Sequence, residues 1–349
     1  MLRQLEQLTR PVPAAGPNAS AIAVYADDRD RTIPATDFGF EGVACVDDVG
    51  RAVVLLLDLA DATGAARLRT WAESLVDFLL YMQGEDGRFA NFIWDWSGKR
   101  NETGLTSFPG GGFWQARGVR ALAKAALVLD DERAKRGLTR GLDVIRKARD
   151  VPPDVRSIHA LMAIELIRAG RMAALRPDLE RWASEIATLR EGDVLLDNPD
   201  QREPHLWGHM QEGVLAEAGA LLARPGLLEI ARRSALAYLA PLIESGFDLP
   251  TVQPYGVASA IYSIDRLATL TGDPRFADLL HKARAWFDGR NTARRPVYDR
   301  DAGRVHDGID DGVLNLRSGA ESNIVGAQAL IDDVVRYVSG RFDPLATPA

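Results

Sequence analysis

The sequence predicts an all-α fold, an (α/α)6 toroid in which inner helices alternate with outer helices. Long segments with helical spacing of apolar residues are separated by short clusters of glycine, proline and aspartate. Every second segment is apolar on several faces, as buried helices are, and the segments between them have one charged side. The predicted helices span about 41–62, 67–83, 112–130, 132–148, 154–169, 174–189, 205–223, 226–244, 255–271, 275–289 and 318–338.

Short turns such as ATGAA and TGDP would join each inner helix to the outer helix that follows it. The N-terminal segment MLRQLEQLTR is a candidate for a sixth outer helix, which would complete six helical hairpins. No repeating signature of an open helical array occurs, and this favours a closed ring. We therefore expect a single domain over residues 1–349, with long loops on one rim at about 84–111, 190–204 and 290–317.

The composition limits the choice of partners and of compartment. The chain has 349 residues with a net charge of −7 and lacks a dense run of lysine and arginine, which argues against nucleic acid. A small-molecule or oligosaccharide partner is expected, and the oligomeric state is left open. The chain shows neither a signal-peptide pattern at its start nor an apolar span, so we expect no membrane association and a cytoplasmic location. The single cysteine, Cys45, excludes an intramolecular disulfide and fits a reducing compartment.

Two adjacent acids, Asp47 and Asp48, lie near the front of a predicted helix that is apolar on most sides. Burying a carboxylate is costly unless it has a partner, so these acids need either an ion pair or a polar cavity. Arg51 lies one turn further along, and an ion pair within the helix is one interpretation. The other is that Arg51 holds one acid ionised while the second acid reaches a substrate. With a helix start near residue 41, both acids would lie two turns inside it.

The loop GRFANFIWDWSGKRNETGLTSFPGGGFW combines acids and aromatic side chains. Asp95 and Glu102 are candidate catalytic carboxylates, and tryptophans so close to them could stack on sugar rings. A flexible loop that leads into a helix is the alternative, and no phosphate-binding P-loop pattern occurs. The tryptophans assigned to substrate binding, from this and another loop, are Trp94, Trp96, Trp114 and Trp207.

The segment HLWGHMQE would place His205, His209 and Glu212 on one face of a helix that starts near residue 205. The histidines are candidate acid–base groups and Glu212 a candidate substrate contact. A hydrogen-bonded structural pair is the alternative. No metal is expected, because the HExxH order is missing and a third histidine or a cysteine is not nearby.

Three further stretches contribute candidate substrate contacts. Tyr255 begins a predicted inner helix, where it is either rim packing or a hydroxyl donor. His306 and Asp310 lie in a hairpin-like excursion, VYDRDAGRVHDGIDDGVLNL, whose acids could also be ordinary surface turns. Glu321 follows Ser318 by three residues, so it is either a substrate contact or part of a capping box at the start of the last inner helix.

Three runs in order, VDDVGRA, GRFANFIWDW and ARGVRALAKA, resemble the helical domain often found beside bacterial glycosyltransferases, whose motifs have the form VDD-x-ARA, GRF-x-NF and GRALWALG. This resemblance covers about 43–126, and Ser-Phe-Pro-Gly at 107–110 stands where that family has Ser-Glu-Asp-Ser. More distantly, the whole helical alternation is similar to unsaturated glucuronyl hydrolases and N-acylglucosamine 2-epimerases. The resemblance implies carbohydrate chemistry on the rim of the long loops.

Together these patterns predict a carbohydrate-active enzyme that needs no cofactor. A glycoside hydrolase is expected first, with Asp47 or Asp48 as one carboxylate and Glu102 or Asp95 as the other. A sugar epimerase or isomerase that uses His205 and His209 as acid–base groups is the second hypothesis. A non-catalytic glycan-binding domain, which would keep the tryptophans without needing the acids, is the third.

Overall fold

The computed structural model describes residues 1–29 and 31–341, and this part of the chain is mostly helical. The helices follow the predicted order, with most ends within a few residues of the expected positions. Their bounds are α1 Leu2–Leu8, α2 Val46–Thr63, α3 Ala66–Met82, α4 Gly112–Val128, α5 Glu132–Lys147, α6 Pro153–Arg168, α7 Arg176–Thr188, α8 Gln211–Leu222, α9 Pro225–Ser234, α10 Ala240–Glu244, α11 Pro254–Thr271, α12 Pro274–Arg284, α13 Ala320–Ala329 and α14 Ile331–Arg341.

Short antiparallel strands lie in the connections between helices. The predicted hairpin-like excursion near the C-terminus contains four of them, and Thr251–Val252 joins Gly308–Asp310 and Val313–Asn315 in a three-stranded sheet. The strands are β1 Thr9–Pro11, β2 Ser20–Ile22, β3 Tyr25–Ala26, β4 Thr32–Ile33, β5 Ala44–Cys45, β6 Phe92–Ile93, β7 Arg190–Glu191, β8 Val194–Leu195, β9 Thr251–Val252, β10 Tyr298–Asp299, β11 Arg304–Val305, β12 Gly308–Asp310 and β13 Val313–Asn315.

The chain forms two compact units. Unit 1 comprises Met1–Ile145 together with the segment from Gly319 onward. At its centre α2 packs against α3, α4 and α13, and α1 packs against α13. The approach of α2 to α4 is close: a Cβ atom on Gly50 would lie 3.0 Å from the carbonyl oxygen of Arg117. Glycine at position 50 therefore allows α2 and α4 to pack closely. Both helices contribute to the acidic cluster described below.

Unit 2 comprises Arg146–Ser318. Its central helix α8 packs against α6, α7, α9 and α11, and α11 packs against α12. The predicted helix at about 226–244 is one run in the chain but contains a π-helical turn at Ala235–Leu239 between α9 and α10. No helix in residues 1–29 and 31–341 has both the length and the hydropathy that a membrane span requires.

Two predicted helix starts were wrong, and the errors move candidate site residues. Helix α2 begins at Val46 because β5 precedes it and the Cys45 sulfur accepts a hydrogen bond from the backbone N–H of Asp48. Asp47 and Asp48 therefore lie in the first turn, not two turns inside the helix. Helix α8 begins at Gln211, so the segment that carries His205 and His209 is a turn that precedes the helix.

The predicted last helix, 318–338, is divided into α13 and α14. Its N-cap residue is Gly319, and no side chain caps it. The Ser318 hydroxyl instead donates a hydrogen bond of 2.8 Å to the carbonyl oxygen of Val305. Glu321 is therefore not part of a capping box with Ser318, and its carboxylate is available for another contact.

Candidate active sites

Unit 1 contains a cluster of three carboxylates and two guanidinium groups, which we call the Arg51 cluster: Asp47, Asp48, Arg51, Arg117 and Glu321. Arg51 Nη1 lies 2.8 Å from Asp48 Oδ1, and Arg51 Nη2 lies 3.3 Å from Asp47 Oδ2 and 2.6 Å from Glu321 Oε1. Arg117 is paired with the other oxygen of Asp47. The ion pair within the helix is therefore present, as part of a larger network that also involves α4 and α13.

The main chain holds this cluster at the first turn of α2. The backbone N–H of Val46 donates to the carbonyl oxygen of Asn91 at 2.8 Å, and the backbone N–H of Asp47 donates to the Asn91 side chain at 3.1 Å. Acidic residues in a first helical turn also interact favourably with the helix dipole. The side chain of Asp48 is buried, whereas those of Asp47 and Glu321 are 22% and 38% exposed. The exposed edge of the cluster thus consists of two carboxylates.

The pKa values of the two adjacent acids move in opposite directions. Burial raises the pKa of Asp48 to about 7, and the neighbouring carboxylates of Glu321 and Asp47 add to this against the charge of Arg51. Burial would also raise the pKa of Asp47, but Arg117 and Arg51 outweigh it and hold that pKa below its usual value. The site therefore combines a carboxyl group that is half protonated near neutral pH with one that is ionised.

The two acids from the long loop, Asp95 and Glu102, make their contacts on that loop. Hydrogen bonds from the Ser97 hydroxyl and, at 2.8 Å, from the Ser97 backbone N–H lower the pKa of Asp95, and this side chain is exposed. Glu102 forms an ion pair of 2.9 Å with Arg100 and is also largely exposed. Neither acid has a hydrogen bond or ion pair with the Arg51 cluster in the part of the chain that the structure describes. We expected Asp47 or Asp48 to act together with Asp95 or Glu102, and no direct contact among the described residues supports this pairing.

The loop tryptophans differ in their surroundings. Trp94 is 41% exposed, and Trp96 is partly exposed in the same loop. Trp114 donates through its indole N–H to the carbonyl oxygens of Phe89 and Phe108, each at 3.1 Å. A Cβ atom on Gly111 would overlap the Trp114 ring, so the glycine run there makes room for an indole. Trp114 therefore has a structural role that its sequence context did not indicate.

Unit 2 contains a buried histidine held between two carboxylates. The His209 Nδ1 lies 2.7 Å from Asp197 Oδ1, and its Nε2 lies 2.9 Å from Glu212 Oε1, with all three side chains fully buried. Carboxylates only accept hydrogen bonds, so both ring nitrogens carry hydrogen and the ring is an imidazolium. Burial opposes this charge, but Glu212 and Asp197 outweigh it and raise the pKa of His209 to about 10.

Two further side chains fix these carboxylates. The Ser234 hydroxyl donates to Glu212 Oε1 at 2.7 Å, and the Gln211 amide donates to Asp197 Oδ1 at 2.6 Å. Sequence reasoning missed Asp197 and Ser234. Asp197 follows the apolar run Val-Leu-Leu in a loop. An acid directly after an apolar run is the one local signal that could have indicated Asp197 as a site residue.

His205 lies beside this buried group and is partly exposed. Its ring stacks on the indole of Trp207, with ring centroids 3.9 Å apart and an angle of 7° between the planes, and Trp207 is 44% exposed. The His205 Nδ1 lies 2.8 Å from the carbonyl oxygen of Trp207 and 3.7 Å from Asp197 Oδ2, while Nε2 lies 3.5 Å from Asp154 Oδ2. A carbonyl oxygen cannot donate, so Nδ1 carries hydrogen and Nε2 is the nitrogen that gains or loses a proton.

The surroundings of His205 favour its charged form. Burial acts to lower its pKa, but the contact with Asp154 and the charge of Asp197 outweigh burial and raise the pKa above its usual value. Asp197 contacts both His205 and His209. The pair expected on one helical face is thus brought together by a shared carboxylate in the turn before α8.

The remaining candidates in unit 2 lie in different settings. Tyr255, in the first turn of α11, packs against this turn: a Cβ atom on Gly208 would lie 2.9 Å from its hydroxyl, and Gly208 has a φ of +74°. His306 is buried, and its Nδ1 lies 3.2 Å from the carbonyl oxygen of Leu316. Burial lowers the pKa of His306. Asp310 is exposed on β12 and accepts from Asn315 at 3.3 Å.

The described ranges 1–29 and 31–341 contain no group of three or more histidine, cysteine or acidic side chains arranged to hold a metal ion. No known family profile matches the chain, and no curated protein matches it in sequence.

Solved structures match the chain over nearly its whole length. A cellobiose 2-epimerase from Bacillus thermoamylovorans is 11% identical, with a TM-score of 0.73 over 95% of this chain and 96% of that one. A D-mannose isomerase is 12% identical, with a TM-score of 0.71 over 96% of both chains. A family 76 glycoside hydrolase from a bovine Bacteroides thetaiotaomicron strain is 10% identical, with a TM-score of 0.64 over 97% of this chain and 76% of that one.

At such low identity the likeness shows the fold alone. The fold is the all-α (α/α)6 toroid, so the predicted fold class is confirmed. The resemblance to carbohydrate-active toroids of the epimerase and glucuronyl hydrolase kind is confirmed at the level of fold as well.

Proposed function

We propose that this chain is a carbohydrate-processing enzyme that isomerises or epimerises a reducing sugar by acid–base catalysis at His205. The observation that carries the proposal is the arrangement of the His205 ring, which stacks on the exposed indole of Trp207 while its Nε2 faces Asp154. An aromatic face suits the apolar side of a sugar ring, and a histidine beside it suits proton transfer. The side chains of His205 and Trp207 are both accessible to solvent, and a substrate needs the same access.

The reaction needs a proton to leave C2 of an open-chain aldose. The neutral fraction of His205 would accept that proton on Nε2 as the C2–H electrons form the enediol double bond and a water molecule protonates the carbonyl oxygen O1. Return of the proton to C1, with transfer of the O2 proton to solvent, gives the ketose. Protonation of C2 on the opposite face by solvent, with loss of the O1 proton to solvent, gives the 2-epimer, and His205 then releases its proton to solvent. Neither outcome requires an oxidant, a reductant or a cofactor.

The buried group behind His205 has a positioning role in this proposal. The carboxylate of Asp197 accepts from His209 through Oδ1, and its Oδ2 lies 3.7 Å from His205 Nδ1. The positive charge of His209 offsets the negative charge of Asp197, and the charge of Asp197 favours a proton on His205. His209 would therefore act through Asp197, while His205 touches the substrate.

The similar structures agree with this choice of reaction. Solved proteins that are named as a cellobiose 2-epimerase and a D-mannose isomerase match this chain with coverage of at least 95% on both sides. The family 76 glycoside hydrolase is matched over 76% of its length and with a lower TM-score. These names support sugar isomerisation ahead of hydrolysis for this chain.

A glycoside hydrolase is the second candidate, and one observation favours it. In the Arg51 cluster the pKa of Asp48 is raised to about 7 and that of Asp47 is lowered. Carboxyl groups whose pKa values are pushed apart can divide the roles of general acid and of ionised nucleophile or base. In this version Glu321, the most exposed of the three carboxylates, would face the sugar.

The experiment that separates the two is product analysis by NMR with mannose, glucose, cellobiose and a β-linked glucuronide as substrates. Our proposal predicts a new aldose or ketose of unchanged mass, formed by wild type and by His281→Asn, an exposed histidine outside the site. The same product should be absent with folded His205→Asn. Cleavage of cellobiose or the glucuronide without isomerisation would overturn the proposal in favour of the hydrolase.

A further inference from the structure

A groove of 530 Å³ lies on unit 1 between α3, α5 and the turn at Gly16. Its α5 wall carries Arg133, Arg136 and Arg140, which share one helical face because they lie three and four residues apart. The one acid among the lining residues is Asp77, so the lining has an excess of two positive charges. The whole chain carries a net charge of −7, so the groove lining is opposite in sign to the chain as a whole.

One of the three arginines is fully compensated. Arg133 forms ion pairs of 2.7 Å with Asp77 and 2.8 Å with Asp131. These carboxylates hold its guanidinium in place, and Arg133 in turn neutralises Asp77, the acid that lines the groove. The positive charge that remains is that of Arg136 and Arg140.

Arg140 is fixed by a neutral partner. Its Nη2 donates to the amide oxygen of Gln83 at 3.0 Å. The Gln83 amide nitrogen donates to the carbonyl oxygens of Gly87 and Gly137, at 3.2 and 2.9 Å, so its oxygen must point towards the arginine. A buried amide thus orients the Arg140 guanidinium without neutralising it.

Arg136 is exposed on the same face, and it has no ion pair among the side chains that the structure describes. Arg140 likewise has no carboxylate partner in that part of the chain, and its buried Nε has no hydrogen-bond partner. The guanidinium groups of Arg136 and Arg140 thus lie on one wall, and that of Arg140 is already oriented. Each guanidinium can donate two parallel N–H hydrogen bonds. Such donors match the oxygens of a phosphate group.

We propose that this groove binds the phosphate group of a small phosphorylated molecule, with Arg136 and Arg140 as the phosphate ligands. The volume of 530 Å³ is in the range of small-molecule pockets and exceeds what a bare ion fills. Tyr81 also lines the groove and is held there by the hydrogen bond of 2.9 Å that its hydroxyl donates to the Gly98 carbonyl oxygen. The site is separate from the residues of the proposed reaction and does not depend on it.

The test is isothermal titration calorimetry of the full chain with glucose 6-phosphate, inorganic phosphate, glucuronate and glucose. We expect saturable binding of glucose 6-phosphate, weaker binding of inorganic phosphate, and still weaker binding of glucuronate. Arg136→Gln and Arg140→Gln should each lower the affinity about tenfold or more, the usual loss for a charged hydrogen bond. Affinity should also fall as salt is raised.

Two controls keep the test specific. Arg3→Gln removes an exposed positive charge elsewhere in unit 1 and should bind as wild type does. His205→Asn should also bind as wild type does, which separates this site from the proposed reaction. Unchanged affinity in folded Arg136→Gln and Arg140→Gln, equal affinity for glucuronate, or no saturable heat with glucose 6-phosphate would each overturn the proposal.

Discussion

Arg51 Nη2 lies 2.6 Å from Glu321 Oε1, and this ion pair joins the second turn of α2 to the first turn of α13 across 270 residues of sequence. The same guanidinium also pairs with Asp47 and Asp48. One arginine thus offsets the charge of carboxylates from two helices that pack together at the centre of unit 1.

Replacing Arg51 with methionine should destabilise the protein by roughly 3–5 kcal/mol at pH 7, the typical cost of leaving buried charges unpaired. The loss should shrink at pH 5, because the orphaned carboxyl groups can then be protonated. Urea unfolding at both pH values measures it. Arg67→Met, which removes an exposed ion pair with Glu6, is the control and should cost no more than about 1 kcal/mol. An equal loss for both variants would contradict this account of the cluster.

Asp48→Asn should change how stability depends on pH. The folded-state pKa of about 7 lies above the usual aspartate value of 3.8, so the folded protein binds more protons than the unfolded chain between these values. The contribution of Asp48 to stability therefore falls as pH rises from about 4 to 7, by at most about 1.4 kcal/mol per pH unit. Relative to wild type, Asp48→Asn should gain stability over this interval and then level off. Thermal melts that show a constant difference from pH 4 to 8 would refute the raised pKa.

His209→Gln should show linkage of the same sign as Asp48→Asn, but at higher pH. A histidine whose folded pKa is about 10 contributes stability that is complete below its usual pKa of 6.5 and is lost as pH rises through 10. We expect the variant to be less stable than wild type by roughly 3–5 kcal/mol at pH 7, because two buried carboxylates lose their shared cation. The difference should narrow between pH 8 and 10. Melts of His281→Gln, an exposed histidine, should follow wild type throughout, and a gap for His209→Gln that is independent of pH would argue for a neutral ring.

Trp207→Ala tests the stacking partner of His205. The indole is 44% exposed, so its removal should change the free energy of unfolding by less than about 1.5 kcal/mol. The Michaelis constant for the sugar should rise, because one face of the binding site is lost. Trp94→Ala, which removes an indole of similar exposure in unit 1, is the matched control. If Trp94→Ala alone raised the Michaelis constant, the reaction would belong to the other unit.

The helices were predictable because each depends on local spacing of apolar residues, and α3 and α5 end within about one residue of expectation. The turn that carries His205 and His209 was mistaken for helix because its spacing is also helical. What ends the helical pattern is the left-handed backbone at Gly208, packed under the Tyr255 hydroxyl.

Contacts between residues that are distant in the sequence could not be predicted from local patterns. Arg51 and Asp47 lie one helical turn apart, so their ion pair could be considered from the sequence. Glu321 and Asp197 reach their partners only through tertiary packing. The single domain, the cytoplasmic location and the roles of the site residues stay predictions.

The most direct test of the central claim is deuterium incorporation at C2 of mannose and glucose in D2O, followed by ¹H NMR. We predict that wild type and His281→Asn exchange the C2 proton with solvent or form the isomer. Folded His205→Asn should do so about a hundredfold or more slowly, as expected for loss of a general base. Exchange at the wild-type rate in His205→Asn would show that another group removes the proton and would contradict the account.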